Sequence, residues 1–219
     1  NKAPLDKDGK PDLEHIEAID INLFNEHLTK LINYEEVTLP IFDFNNGARK
    51  WGKTITVPKD SPIIIEGIHA LNDKLTPEIP INQKYKIFIA PQTQLHIDNH
   101  NPINFTDLRL LRRMVRDQEY RNSSAEETLS MWPSVRAGEF KWIYPFQEEA
   151  DYVFNSELSY EILVLKKHAY KSLRSIGRES EYFINANRLL KFLKYFLEID
   201  DDLVPNNSLL REFIGNGVF

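Results

Sequence analysis

The chain has 219 residues, of which 42% are hydrophobic and 11% aromatic, and these values exclude an intrinsically disordered protein. A formal net charge of −6 argues against non-specific binding to nucleic acid, and the lack of cysteine excludes disulfides and thiolate metal sites. No apolar run reaches the roughly 18 residues that span a membrane, and the polar first residues do not form a signal sequence. We therefore predict a cytoplasmic protein with no membrane partner.

The first part of the chain predicts a helix followed by a β-hairpin. Residues 1–12 are rich in turn-forming residues. Apolar residues recur at helical spacing over 13–32, which predicts one helix or two short helices. The segment 38–46 contains β-forming residues and the segment 51–57 alternates in polarity, which together predict a hairpin arm at 38–58.

Further along the chain, strands are predicted to alternate with helices. Apolar runs at 63–65, 86–90 and 152–155 predict buried parallel strands. Helices are predicted at 106–121, 124–137, 157–174 and 180–197. This alternation predicts an α/β fold with a parallel sheet flanked by helices. No repeat, low-complexity segment or linker divides the chain, so we predict a single domain over 1–219.

The most informative segment is a stripe of arginines on the helix predicted at 106–121. The arginines that share one helical face are Arg109, Arg112, Arg113 and Arg116. Arg121 lies about one turn beyond them. Two interpretations stay open. Either Asp107, Asp117 and Glu119 pair with these arginines on a solvated face, or the guanidinium forks bind phosphate oxygens, a role for which arginine suits better than lysine.

Glu66 is a candidate metal ligand because it directly follows the apolar run at 63–65. Ligands of open α/β sheets bind beyond the carboxyl ends of the strands, where an acid can hold Mg²⁺ directly or through water. Alternatively, Glu66 caps a neighbouring helix or pairs with an arginine.

Four segments occur in an order that resembles the uridine kinase family and its phosphoribulokinase-like relatives. They are EGIHALN at 66–72, TDLRLLRRMVRD at 106–117, PFQEEADYVFNS at 145–156 and PNNSLLREFIG at 205–215. The segments 9–28 and 40–50 resemble the nucleoside-binding region of that family. The resemblance covers essentially the whole chain and implies a P-loop kinase-type fold.

The resemblance implies phosphoryl transfer from ATP, with Mg²⁺, to the 5′-hydroxyl of a nucleoside such as uridine or cytidine. It implies that Arg109 contacts the ribose and that Glu66 supports Mg²⁺. The residues implied to be lid arginines, which face the transferring phosphate, are Arg112, Arg116 and Arg121.

The resemblance also implies residues of the acceptor site. Glu17 stands where the family has an acid that holds ribose hydroxyls, and Glu14 is its neighbour one turn earlier. Phe42 and Phe44 stand where the family has aromatic residues of the base pocket, so the hairpin at 38–58 becomes a predicted acceptor-site arm. The residues alone leave two alternatives open: the acids can form a solvated helix face, and the rings can face a core.

The chain departs from the family at the phosphate-binding loop. The string GARKWGKT at 47–54 satisfies the written P-loop pattern, but it lies in a strand-like context that Pro58 ends, so we interpret it as a chance match. In the family, the P-loop and the general base lie upstream of everything seen here. We therefore expect a fold that lacks its first strand and phosphate-binding loop, and no kinase activity from this chain alone.

Other functions stay open. Gly47 stands where the pyrimidine kinases have a histidine, so base specificity is undetermined, and a sugar phosphate is an alternative acceptor. A second alternative is a non-catalytic module that binds a phosphorylated ligand or RNA through the arginine-rich helix. Strands without a neighbour, such as the one predicted at 63–65, further predict self-association into a homo-oligomer.

Overall fold

The computed structural model describes residues 3–5, 9, 12, 14–43, 48–93 and 95–218. The α-helices are α1 (Ile21–Ile32), α2 (Phe105–Arg121), α3 (Ala125–Trp142), α4 (Glu161–Arg174), α5 (Phe183–Leu193) and α6 (Arg211–Ile214). The strands are β1 (Val37–Asp43), β2 (Ala48–Ile55), β3 (Ile87–Ala90), β4 (His96–Asp98), β5 (Asn101–Pro102) and β6 (Tyr152–Asn155). None of the helices described is long and apolar enough to cross a membrane.

The strands pair two by two. β1 and β2 form an antiparallel hairpin, and so do the short strands β4 and β5. β3 pairs with β6, and their hydrogen bonds show that the two run in parallel. Asp151 donates its N–H to the carbonyl of Lys86 (2.9 Å), and Ser156 donates to that of Ala90 (3.0 Å). The predicted α/β fold, with parallel strands and flanking helices, is confirmed.

The chain divides into two compact units. The first contains the described residues up to Ile87 together with Gly138–Tyr152, and it holds α1 and the β1–β2 hairpin. The second contains Phe88–Ala137 and the described residues from Val153 onward, and it holds α2 and the main hydrophobic core. A single domain over 1–219, with an acceptor-site arm at 38–58, stays a prediction.

The core of the second unit forms around α2. The Asn104 side chain accepts the N–H of Thr106 (2.9 Å) and caps the start of the helix, and Asn122 ends it in the left-handed conformation (φ 51°). Leu108 and Leu111 are fully buried where α2 packs against α4 and α6. Each such leucine contributes about 1.5–3 kcal/mol through burial, so α2 is held firmly in place.

One predicted strand is absent. The helix predicted at 106–121 and the strands predicted at 86–90 and 152–155 are confirmed within one residue. The strand predicted at 63–65 is wrong, because this segment lies in no strand and Ile64 is 89% exposed. A buried strand needs a neighbouring strand to satisfy its backbone N–H and C=O groups, and none of the strands described pairs with this segment.

Candidate functional site

The acid turn, which we define as residues 14–18, carries both acids predicted to bind the acceptor. The carboxylate of Asp12 accepts the backbone N–H of Glu14 (3.1 Å), and Nδ1 of His15 accepts that of Glu17 (3.2 Å). These bonds fix the backbone of the turn, while the side chains of Glu14 and Glu17 are exposed. Two carboxylates on a fixed backbone are well placed to accept hydrogen bonds from a ligand's hydroxyl groups.

His69 ties the acid turn to the rest of the first unit. Its Nε2–H donates to the backbone carbonyl of Glu14 (2.9 Å), and its ring packs edge-on against Trp142 at a centroid distance of 5.1 Å. His15 contacts the same indole, with centroids 4.7 Å apart. Burial lowers the pKa of His69 below its ordinary value of 6.5, so the ring is neutral at pH 7.

The β1–β2 hairpin carries Phe42, which is predicted to line a base pocket. The strand register pairs Phe42 with Arg49 and Pro40 with Trp51, so the rings of Phe42 and Trp51 share one face of the hairpin. Both rings are about half exposed. Arg49 joins this face to the start of α1 through an ion pair with Asp20 (2.6 Å), and this hydrogen bond lowers the pKa of the Asp20 carboxyl.

A cleft of about 460 Å³ lies between α1 and the hairpin. Its lining residues are His27, Lys30, Glu36, Val37, Thr38 and Trp51. The sequence did not single out His27, Lys30 or Trp51, although the i, i+3 spacing of the first two places them on one face of α1. Trp51 offers an aromatic surface there, and Lys30 is paired with Glu26 (2.7 Å). Phe44 and Gly47 lie outside the described residues.

In the second unit, Arg112 is engaged in a buried ion pair. Its Nε and Nη2 donate to the two carboxylate oxygens of Glu161 (2.6 and 2.8 Å). Nη1 donates to the hydroxyl of Ser156 (3.1 Å) and Nη2 to its backbone carbonyl (2.6 Å). The guanidinium carbon lies 5.1 Å from the centre of the Phe213 ring. These partners engage four of the five guanidinium N–H groups within the protein, and none of the three partner residues was identified from the sequence.

The arginines farther along α2 also have carboxylate partners. Asp117 is fully buried and forms ion pairs with Arg113 (3.1 Å) and Arg121 (2.8 Å). Arg116 reaches Glu212 (3.2 Å), and both side chains of this pair are partly exposed. Arg109 lies half-buried on the same helix. Of the carboxylates in the pairing interpretation, Asp117 does pair with arginines of the stripe, but in the core rather than on a solvated face. Asp107 pairs instead with Arg188 of α5.

Glu66 lies exposed in the loop before His69, directly ahead of Gly67. Within the described part of the chain, no three His, Cys, Asp or Glu side chains converge as a metal cage would require. The string at 47–54 lies in β2 from Ala48 onward, which is a strand of a hairpin rather than a strand-to-helix turn. The structure thus brings Glu14 and Glu17 onto one turn, but it places Phe42 and Glu66 on separate segments of that unit.

The chain is similar to known kinases over much of its length. The model of the phosphoribulokinase / uridine kinase family matches residues 5–162. A uridine kinase of Borrelia turicatae is 30% identical over 173 residues, which are 78% of this chain and 74% of that protein. A uridine kinase of Bacillus pumilus is 31% identical over 141 residues, or 64% of this chain and 59% of that protein. A uridine kinase of Borrelia duttonii is 30% identical over 141 residues, which are 64% of this chain and 60% of that protein.

The chain therefore spans only part of the curated relatives it matches, from 59% to 74% of their lengths. The family match nevertheless takes in the acid turn, the hairpin, α2 and the parallel β3–β6 pair, and it covers more than half of the chain. This chain belongs to the phosphoribulokinase / uridine kinase family of kinases.

Proposed function

We propose that this chain supplies the acceptor-binding part and the arginine helix of a nucleoside kinase. The complete enzyme transfers a phosphoryl group from ATP to the 5′-hydroxyl of a uridine- or cytidine-like nucleoside. The observation that carries this proposal is membership of a kinase family in which similar proteins are named uridine kinases.

On the acceptor side, Glu14 and Glu17 accept hydrogen bonds from the ribose hydroxyls. Both carboxylates are exposed on a turn whose backbone is already fixed, so little conformational entropy is lost when the ligand binds. Phe42 lies against the base, as does Phe44, which is outside the described residues. The half-exposed ring of Phe42 offers the flat apolar surface that stacks on a nucleobase.

On the phosphate side, we assign the contact with the ribose to Arg109 and the contacts with the transferring phosphate to Arg116 and Arg121. Guanidinium groups fit this task because they bind phosphate oxygens in a fixed fork. A phosphate contact from Arg112 stays a prediction and requires its ion pair with Glu161 to open. In the present geometry, Arg112 holds α2 in position.

ATP and Mg²⁺ are the proposed co-substrate and metal of the complete enzyme. Glu66 would hold Mg²⁺ as one carboxylate beside the phosphate oxygens of the substrate, which is how proteins commonly bind this ion. The described residues offer no cradle for the ATP phosphates at the string 47–54, because it lies in β2. Phosphoryl transfer depends almost entirely on positioning and charge neutralisation, so we expect no turnover from this chain alone.

Isothermal titration calorimetry with uridine, cytidine and ribose 5-phosphate tests the proposal. We expect the nucleosides to bind, and Glu17→Gln to weaken their binding about 10-fold, because a charged hydrogen-bond acceptor is replaced by a weaker, neutral amide. Glu78→Gln, at an exposed acid of the same unit, is the matched control and should bind as the parent does.

The other outcomes select between the remaining functions. Binding of ribose 5-phosphate without nucleosides would identify a sugar-phosphate acceptor. A non-catalytic module would be identified if the chain binds RNA or a phosphorylated ligand but no nucleoside, and if salt weakens that binding. Turnover of ATP with uridine by this chain, abolished by Arg116→Ala, would refute the expected inactivity.

A further inference from the structure

His69 is a buried polar side chain that contacts the acid turn. It is 4% exposed, and its hydrogen bond from Nε2 to the carbonyl of Glu14 spans 55 residues of sequence. Because a carbonyl oxygen only accepts, the proton of the neutral ring lies on Nε2. Nδ1 is then an unprotonated acceptor, and it is buried with no partner among the described residues.

Burial of this kind favours the neutral ring. Protonation of Nδ1 would create a buried N–H without an acceptor together with a buried charge, and both are costly. Burial and the nearby His15 lower the pKa of His69, whereas the hydrogen bond to Glu14 and the charge of Asp12 act in the opposite direction. Lys141, whose ammonium group lies over the Trp142 ring, is also close by and is paired with Asp12 (3.4 Å).

The acid turn is also held by packing of Ile16, which is buried. Lys141 reaches Asp12, which lies ahead of the turn, and His15 only packs against Trp142. The bond from His69 holds the backbone carbonyl of Glu14, whose N–H is bound by Asp12, two residues earlier in the chain. The carboxylate of Glu14 in turn lies against Gly138 of α3, so a small movement of this backbone would relocate the side chain.

We propose that His69 is a positioning residue of the acceptor site, which fixes the acid turn through the bond from its Nε2–H to the carbonyl of Glu14. His69 does not touch the ligand, because only a few per cent of the residue's surface is exposed to solvent. This role rests on the proposed function, in which Glu14 and Glu17 bind the ribose.

The test compares His69→Ala with His69→Gln in nucleoside titrations of the full 219-residue chain. Glutamine places an amide N–H near the position of Nε2, stays neutral at every accessible pH and so preserves the bond to Glu14. We expect His69→Ala to weaken uridine binding by about 5-fold, the effect of one hydrogen bond, and His69→Gln to restore it to within about 2-fold. His168→Ala, at a histidine bonded to Asp201 in the other unit, should bind as the parent does.

A pH series adds a readout that a purely structural role would not change. We expect the parent chain to lose uridine affinity as the pH falls through the lowered pKa of His69, because protonation of His69 disturbs its buried site. His69→Gln should remove most of this loss. A His69→Ala variant that binds uridine as the parent does, or a glutamine variant no better than alanine, would overturn the positioning role. If the parent binds no nucleoside at all, the proposed function itself fails, and the role of His69 fails with it.

Discussion

Neutralisation of Glu161 should destabilise the second unit strongly. The side chains of Arg112 and Glu161 are only 8% and 1% exposed, and two hydrogen bonds of 2.6 and 2.8 Å join them. Glu161→Gln keeps the shape of the side chain but leaves the guanidinium as a buried charge without a counterion. Breaking a buried pair in this way costs about 3–5 kcal/mol.

The predicted cost is large enough to be read from thermal unfolding. For a chain of this size, each kcal/mol shifts Tm by about 2–4 °C, so Glu161→Gln should lower Tm by about 6–20 °C. Circular dichroism at 222 nm follows the helices that depend on this pair. The double variant Arg112→Met/Glu161→Leu should recover part of the loss, because removal of both charges leaves neither uncompensated.

The pair between Arg116 and Glu212 provides a matched comparison on the same helix. Its side chains are 34% and 47% exposed and lie 3.2 Å apart, so Glu212→Gln should cost less than about 1 kcal/mol. Equal Tm values for Glu161→Gln and Glu212→Gln would refute the reasoning, since burial would then have no influence on the two ion pairs.

Three further predictions concern the turn, the sheet and pH. Gly138→Ala should raise Tm, because alanine stabilises α3 by up to about 1 kcal/mol relative to glycine. The same variant should weaken nucleoside binding, because the new methyl group displaces the Glu14 carboxylate. Unchanged nucleoside binding would contradict the role of Glu14. If β3 supports self-association, Ile89→Lys should weaken that association in sedimentation velocity. Ile184→Lys, at an even more exposed isoleucine of α5, should leave it unchanged. Because burial lowers the pKa of His69, the unfolded chain binds this proton first as the pH falls. Stability should therefore decline below pH 6.5, and a decline of equal size in His69→Gln would exclude His69 as its source.

The fold was predictable where its signals are local. Ser124 and Glu127 form a reciprocal capping box, with N–H to side-chain distances of 2.7 and 3.2 Å, and α3 begins at the next residue after Ser124. The apolar run at 63–65 gave no comparable signal. Composition shows that a segment is apolar, but the neighbour that would make it a strand is fixed by distant parts of the chain.

The candidate site was predictable only as a set of residues. Arg112 belongs to the arginine stripe, but it follows Leu111 and lies one turn after Leu108. The helical period therefore also places it at the border of the buried face. Its partner Glu161 is 49 residues away, and no spacing rule connects the two. His69 was visible as the residue after Glu66-Gly-Ile, but its bond to Glu14 depends on the tertiary fold.

The arginine helix can bind phosphate only through guanidinium groups that can leave their present partners. Arg112 would abandon a buried carboxylate, and Arg121 would leave Asp117, which is fully buried and keeps Arg113 as its ionic partner among the described residues. Exchange of Glu212 for phosphate at Arg116 costs less free energy, because the Glu212 side chain is already half exposed and is readily solvated once it is released. A phosphate that binds α2 should therefore displace Glu212 first, which makes Arg116 the arginine whose substitution most directly tests the phosphate contact.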